Sequence, residues 1–339
     1  MKAFSCRVCA SALFFENSVC MSCRTPQAYA RTERAIVPVD ETGKYMDAGG
    51  VDWWVCSNLH LSGCTWLTER EGGQCFACSL TRTRPNDDDA VGLARFVSAE
   101  RAKRHLIVEL DDLDIGLMPK SEAPENGLAF DMLSQTTGRV VMGHDHGVIT
   151  IDVSESDPAH REKVRVTLDE PYRTMLGHFR HEIGHYLEWQ YVRGPIVEEC
   201  RRMFGDETVS YQEAIDRHYS DGPPANWARQ YISTYATMHP YEDFAETFAH
   251  FLHIRDTIDT AKEQGLIVVD QRGFGSFRDL VGAVWIPLST ALNQINRSMG
   301  RDDLYPFVIP PLVLDKLDFV ASLIGRRSGA GGGAYADSP

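Results

Sequence analysis

The stretch GHFRHEIGHYLEW, residues 177–189, places three histidines at helical spacing. In a helix each residue advances about 100°, so with His181 at zero His185 lies near 40°, His178 near 60° and Glu182 near 100°. The opposite side of the same helix is apolar. It carries Met175, Leu176, Phe179, Ile183, Tyr186 and Leu187. The stretch therefore predicts a helix with one face toward a core and a second face of imidazoles beside a carboxylate.

Residues 181–185 form an HExxH motif. His181 and His185 lie one turn apart and can direct two ring nitrogens at one zinc ion, while Glu182 can reach a water on that metal. Zinc lowers the pKa of the water and the glutamate accepts its proton, which gives a nucleophile for a peptide carbonyl. A purely structural helix is the alternative, but it would not need these three residues at ligand spacing beside a full apolar stripe.

A catalytic zinc also needs a third protein ligand and an open fourth position. The extended HExxHxxGxxH pattern is excluded, because Glu188 and Tyr191 stand where it requires Gly and His. The stretch HPYEDFAETFAHFLHI, residues 239–254, predicts a second helix with Glu242 and Glu246 on one stripe. Glu242 is the predicted third ligand and Glu246 the residue that orients a ligating histidine, although the opposite order stays open.

Two further residues are candidates for the same site. Tyr235, seven residues before Glu242, lies in a segment that should turn back toward the metal, where its phenol could donate to the oxyanion of a tetrahedral intermediate. A packing role for this tyrosine is an equal alternative. His178 shares the histidine face, and a place near the ligands or in a substrate pocket competes with a hydrogen-bonded structural role.

Eight of the nine cysteines lie in the first 78 residues. Reduced thiols in CxxC pairs bind metal, and four thiolates surround a structural zinc at about 2.3 Å. A disulfide framework is the weaker alternative. Each site has four protein ligands and no open position, so two structural zinc ions are expected. The first set is Cys6, Cys9, Cys20 and Cys23; the second, more loosely spaced, is Cys56, Cys64, Cys75 and Cys78, in which His60 could replace one thiolate.

The composition limits the possible partners. The chain has 339 residues, 43% of them hydrophobic, and a formal charge of −14. Phosphate binding depends on clustered Lys and Arg, so nucleic acid and anionic membranes are not expected partners. No apolar run reaches membrane-spanning length. Cys6 and Cys9 fall where a signal peptide would need an apolar region, so a cytoplasmic protein is expected.

The organisation along the chain predicts an α+β protein: a zincin-like, mostly helical domain with a small edge sheet, preceded by a four-cysteine zinc-ribbon head. The segment RTRPNDDD, residues 82–89, suggests a boundary, with a head at 1–85, a second domain at 86–326 and a disordered tail at 327–339. Strands are predicted at 127–133, 138–142 and 147–153, the last as the edge strand that pairs with an extended peptide. Helices are predicted at 88–113, 157–167, 171–191, 211–219, 226–236, 241–255, 275–296 and 312–325.

These features resemble a bacterial family of zinc-binding metallopeptidases that join an N-terminal zinc ribbon to an HExxH domain. The similarity covers most of residues 4–260, in FSCRVC with FFENSVCMSC, EPYRTMLGHFRHEIGHY and PYEDFAETFAH. More distantly, the site is similar to that of anthrax lethal factor and its relatives. That likeness implies Glu242 as the ligand, Glu246 as a supporting carboxylate and Tyr235 as the oxyanion donor. Asp243 departs from it, since the relative has a phenylalanine there.

Together these observations predict a zinc metallopeptidase with one catalytic and two structural zinc ions, and a peptide or protein as its substrate. The head could also bind a protein partner. The alternative is a noncatalytic adaptor, in which the ribbon recognises a protein and the zincin-like domain serves as a scaffold.

Overall fold

The computed structural model describes residues 2–138, 140–162, 173–270 and 273–328. It shows a mixed α/β fold with small sheets and a four-cysteine, zinc-ribbon-like head, which confirms the predicted fold class. The strands are β1 (Phe4–Ser5), β2 (Ala12–Leu13), β3 (Gln27–Ala30), β4 (Ala35–Pro38), β5 (Lys44–Met46), β6 (Asp52–Val55), β7 (Leu67–Thr68), β8 (Thr81–Thr83), β9 (Ala129–Leu133), β10 (Gly143–Asp145) and β11 (Val148–Asp152).

The helices build most of the remaining structure. They are α1 (Leu59–Ser62), α2 (Phe76–Ser79), α3 (Ala90–Asp112), α4 (Met175–Tyr191), α5 (Pro195–Phe204), α6 (Tyr211–Asp221), α7 (Pro240–Glu263), α8 (Phe277–Leu280), α9 (Ile286–Ser298) and α10 (Pro311–Ser328). Among these described helices, none combines the length and the apolar character that crossing a membrane would require.

The first four cysteines lie in two turns of the same shape. In the first turn the amide of Ala10 donates to the carbonyl of Cys6 at 2.8 Å, and in the second the amide of Arg24 donates to the carbonyl of Cys20 at 2.9 Å. Ala10 and Arg24 have φ angles of 60° and 64°. The left-handed residue after each CxxC reverses the chain, so that both thiols of a pair face the same point.

A four-stranded sheet in the order β10-β11-β9-β8 lies beside α4. The prediction of residues 147–153 as the edge strand was wrong, because β11 lies between β9 and β10. The chain reverses before β11 through His146 and Gly147, whose φ angles of 44° and 83° make a tight hairpin. The predicted strand at 138–142 is also displaced, since the observed strand is Gly143–Asp145; Arg139 lies outside the described residues.

Most of the predicted helices are present with small changes in their ends. The prediction at 226–236 was wrong, because this segment forms two 3-10 turns, Trp227–Arg229 and Tyr235–Thr237, and α5 was not predicted. The predicted helix at 275–296 contains a π-helical turn at Val281–Trp285. Residues 158–162 are helical, whereas 163–172 lie outside the described residues. The tail was predicted from residue 327, but α10 continues to Ser328, and 329–339 lie outside the described residues.

Helices α4 and α7 pack closely against each other at the centre of the molecule. A Cβ atom at Gly184 would lie 3.0 Å from the Cα of Ala245, so glycine at this motif position allows the two backbones to approach. Phe248 of α7 lies at the same contact, 3.2 Å from such a Cβ atom, and both Phe244 and Phe248 are fully buried. The packing brings the histidine face of α4 to the acidic stripe of α7.

Candidate metal centre

Three side chains from α4 and α7 direct donor atoms at one point. The Nε2 atoms of His181 and His185 are 3.1 Å apart. Oε2 of Glu242 lies 3.0 Å from the first nitrogen and 3.5 Å from the second. Two ligands at 2.0–2.1 Å from a tetrahedral zinc are about 3.3 Å apart. The spacing of the three donor atoms therefore fits a single zinc ion.

The carboxylate of Glu242 supports the same conclusion. Its Oε2 is buried and has no hydrogen-bond partner among the described residues, whereas its Oε1 accepts a hydrogen bond of 2.6 Å from the hydroxyl of Tyr211. A buried carboxylate oxygen without a donor costs free energy, and a cation between this oxygen and the two imidazoles would remove that cost. The residues present thus fit a divalent metal.

Glu246, one turn after Glu242, contacts the other side of His181. Its Oε1 lies 2.8 Å from Nδ1 of His181, and its Oε2 accepts a hydrogen bond of 2.6 Å from Ser233. A proton held on Nδ1 leaves the Nε2 lone pair free to face the metal. Burial lowers the pKa of His181, but the negative charges of Glu242 and Glu246 beside its ring outweigh burial and raise this pKa well above its ordinary value. The surroundings of His181 therefore favour positive charge.

Glu182, the second residue of the motif, lies beside the donor atoms and lines a cleft next to them. Its side chain is buried and its Oε2 has no hydrogen-bond partner among the described residues. Burial raises the pKa of Glu182, and the nearby imidazoles of His181 and His185 oppose that shift. A carboxylate with raised basicity and one free oxygen is suited to accepting a proton from a water molecule.

Tyr235 also lies next to the donor atoms. Its ring centroid is 5.8 Å from that of His181, and it belongs to the 3-10 turn at Tyr235–Thr237. Burial, with the charge of Glu242, raises the pKa of Tyr235 well above its ordinary value. The phenol therefore keeps its proton at neutral pH and can donate a hydrogen bond.

Tyr211 at the start of α6 was not found by sequence reasoning. It donates to the predicted ligand Glu242, and no motif spacing connects the two positions. Burial and the charge of Glu242 raise the pKa of Tyr211, so its hydroxyl also remains a donor. This hydroxyl holds one oxygen of Glu242 while the other faces the imidazoles.

His178 lies at the wall of the cleft rather than at the donor atoms. Its Nε2 is 3.3 Å from Oε2 of Glu155. The carboxylate of Glu155 also accepts two hydrogen bonds from Arg173, at 3.0 Å on Oε2 and at 2.9 Å on Oε1. Burial raises the pKa of Glu155, but the contacts with His178 and Arg173 lower it overall. Glu155 and Arg173 lie outside the quoted motifs and were not predicted.

Asp243, the residue after Glu242, contacts a different helix. It forms a buried ion pair with Lys316 of α10, and the same ammonium donates to the carbonyl of Gln230 at 2.9 Å. The N-cap of α7 is instead His239, whose Nδ1 accepts from the amide of Tyr241. Asp243 therefore joins two helices.

A cleft of about 330 Å³ opens beside Glu182, Tyr235 and Glu246. One wall carries Val140, Val141 and Met142, which precede β10, and the far end carries Ala249, His250, His253 and Phe307. Burial lowers the pKa of His250 to about 4, so this imidazole is neutral at pH 7. The cleft combines apolar side chains with His181 and Glu182.

All nine cysteines are free thiols, and eight of them form two groups. In the first group the Sγ atoms of Cys6 and Cys23 are 3.7 Å apart, and in the second those of Cys64 and Cys75 are 3.5 Å apart. Thiolates at about 2.3 Å from a tetrahedral zinc are about 3.8 Å apart, so both groups fit this metal. His60 is exposed and lies outside the second group, while Cys200 is a buried single thiol.

Within the described part of the chain, possible metal ligands group in three places. They are the two cysteine groups and the trio of His181, His185 and Glu242, whose donor atoms lie within 4.8 Å of one another. The structure thus brings together the predicted ligands from both helices and both halves of the head.

Comparison with known proteins agrees with this arrangement. Residues 3–89 match a zinc-ribbon domain. Proteins of Mycobacterium tuberculosis, strains H37Rv and CDC 1551, and of Mycobacterium bovis, each named an uncharacterized protein, are 44% identical over 334 residues, which is 96% of this chain and 95% of theirs. No solved structure matches. Residues 92–323 match a family described as "Putative zinc-binding metallo-peptidase", and the chain belongs to this family.

Proposed function

We propose that the protein is a zinc-dependent metallopeptidase of the HExxH type, with His181, His185 and Glu242 as the ligands of its catalytic zinc. The observation that carries the proposal is the triangle of donor atoms, 3.0 to 3.5 Å on each side, built from two separate helices. Beside it lies a buried glutamate, Glu182, that could serve as a base. The family supports zinc and a peptidase reaction.

Each residue around the three donor atoms would have a separate role in hydrolysis. When bound there, zinc would supply a Lewis acid that lowers the pKa of a water molecule and polarises the peptide carbonyl. Glu182 accepts the proton of the attacking water and later transfers it to the leaving amine. Tyr235 donates a hydrogen bond to the oxyanion that develops on the carbonyl oxygen. Glu246 holds the ring of His181, and Tyr211 holds Glu242.

The substrate would be a peptide or protein in extended form, lying along β10. This strand is at the end of its sheet, and among the described residues its outer side has no strand partner. An extended peptide can add to such an edge through main-chain hydrogen bonds. Val140, Val141 and Met142, which lead into β10, form a wall of the cleft. Their apolar side chains would contact side chains of the substrate.

The head would hold two structural zinc ions in its two cysteine groups. Both groups supply four thiolates and so leave no position for water. The many reduced thiols favour a reducing compartment, and we propose the cytoplasm. A protein partner would bind the head through its exposed apolar side chains. Among them, Phe14 is 75% exposed and Met21 is 71% exposed.

The substitution Glu182→Gln tests the proposal. It keeps the shape of the side chain and removes the base, so turnover should fall by at least about 100-fold, the lower end for a general base. Cleavage of a peptide library by the wild type and the variant, with zinc counted in both, measures the effect. Glu198→Gln is the control, because Glu198 is an exposed carboxylate on α5. Unchanged cleavage by the Glu182 variant would refute the assigned role.

A further inference from the structure

Arg180, the residue before the first motif histidine, is buried among three helices. Its side chain is 3% exposed although it carries a full charge. Burying a guanidinium is unfavourable unless hydrogen bonds and opposite charges compensate for its lost hydration. The partners of Arg180 therefore show what this buried charge connects.

The guanidinium of Arg180 contacts three side chains on two neighbouring helices, and its Nη2 lies 2.9 Å from Oε2 of Glu109 as well as close to Asp256. Nε donates to Oε2 of Glu109 on α3 at 2.9 Å. Nη1 donates to Nδ1 of His253 at 2.6 Å, and Nη2 donates to Oδ2 of Asp256 at 2.7 Å, both on α7. The planar guanidinium fixes the directions of its donors, so these contacts hold α4 against α3 and α7 in one arrangement.

A second residue of α3 strengthens the arrangement. His105 lies on α3 one turn before Glu109, and its Nε2 is 3.0 Å from Oδ2 of Asp256. Asp256 thus has partners on both neighbouring helices. Buried polar networks of this kind favour one packing of the helices that they join, although Oε1 of Glu109 has no hydrogen-bond partner among the described residues.

Two of the contacts between α4 and α7 lie far apart along α7. The first is the close approach of Gly184 to Ala245, next to the donor atoms. The second is the contact of Arg180 with Asp256, which lies 11 residues beyond Ala245, or about 16 Å along the helix. Two separated contacts fix the angle between the helices, and this angle sets how far Glu242 stands from His181. A zinc site tolerates errors of only about 0.2 Å in its ligand distances.

We propose that Arg180 is a positioning residue of the metal centre, which sets the separation of Glu242 from the imidazoles of His181 and His185 through its contacts with α7. The inference rests on the catalytic zinc proposed above. It concerns the affinity of that metal, so it can be tested without measuring turnover.

The test compares zinc binding by full-length variants in competition with a chromogenic chelator. Arg180→Met should weaken the affinity for one zinc ion by about tenfold or more, the range found when residues that support metal ligands are changed. Arg180→Lys should restore part of that affinity, and Asp256→Asn should weaken it to an intermediate extent. The two zinc ions of the head should stay bound in all three variants.

Asp111→Asn is the matched control, because Asp111 also lies on α3 and forms a bidentate ion pair with Arg31 of the head. It should reduce the free energy of unfolding and leave the zinc affinity unchanged. Wild-type zinc affinity in folded Arg180→Met would overturn the inference. If that variant does not fold, wild-type affinity in both Arg180→Lys and Asp256→Asn would overturn it. Loss of affinity without any detectable turnover in the wild type would contradict only the peptidase proposal.

Discussion

At the scale of single residues, some members of the candidate metal centre can be predicted from a sequence motif, and others cannot. His181, Glu182 and His185 follow a fixed helical spacing, and the second helix shows its acidic stripe. Their proximity could therefore be predicted. Tyr211 contacts Glu242 from a separate helix, and only the folded chain brings it there.

Tyr235→Phe tests the role of the phenol. Removing one donor to an oxyanion lowers turnover by about 10² to 10³, while the zinc ligands are untouched. Steady-state kinetics with zinc counted in parallel should therefore show reduced kcat and a full metal content. Tyr219→Phe is the control, since Tyr219 also lines the cleft but is 66% exposed. Equal kcat in the Tyr235 variant and the wild type would leave this tyrosine a packing role.

At the scale of secondary-structure elements, α10 is joined to α7 by the buried pair of Lys316 and Asp243. Side chains of both residues are less than one-tenth exposed. Their mutual attraction offsets the cost of burying each charge, and neither residue can be neutralised alone without leaving the other uncompensated. Asp243 follows Glu242 directly in sequence, so the ion pair holds the first turn of the helix that carries Glu242.

Lys316→Met should destabilise the fold by about 3 to 5 kcal/mol, because it leaves the Asp243 carboxylate buried without its partner. Urea unfolding measures this loss. The comparison is made near pH 8, where the carboxyl of the wild type is ionised, since burial raises the pKa of Asp243 to about 7 despite the nearby Lys316. Arg297→Met removes an exposed ion pair with Asp303 and should cost at most about 1 kcal/mol. Similar losses in the two variants would contradict this prediction.

The elements that sequence reasoning placed wrongly have identifiable causes. The segment at 226–236 has apolar residues at helical spacing, but the Ser233 hydroxyl accepts a hydrogen bond from the amide of Ala236 and donates to Glu246. These side-chain bonds compete with a continuous helix. The hairpin that places β10 outside β11 depends on a left-handed residue at His146, a conformation that the local pattern did not indicate.

At the scale of the whole molecule, the head and the helical part share contacts on several sides. Strand β8 pairs with β9 in the four-stranded sheet, and Arg31 binds Asp111 of α3. Side chains of the second cysteine group and of α3 belong to one continuous core. The composition change near residue 85 indicated two units, but it did not reveal that a strand before residue 85 completes the sheet after it.

The number and lability of the zinc ions test the proposed function at this scale. If the proposal holds, the protein binds three zinc ions per chain, two of them in closed four-thiolate groups and one in a centre with three protein ligands. A chelator should therefore remove one ion readily and leave two, as measured by elemental analysis after brief dialysis. Two tightly held ions and no third would instead favour the noncatalytic adaptor.

The parallel pairing of β8 with β9 also limits how such proteins can evolve. A ribbon tethered by a free linker could be exchanged by recombination without further change. Here a new N-terminal module would have to supply its own strand in the same register, or leave the backbone groups of β9 open to intermolecular aggregation. The ribbon and the metallopeptidase part are therefore expected to be inherited together.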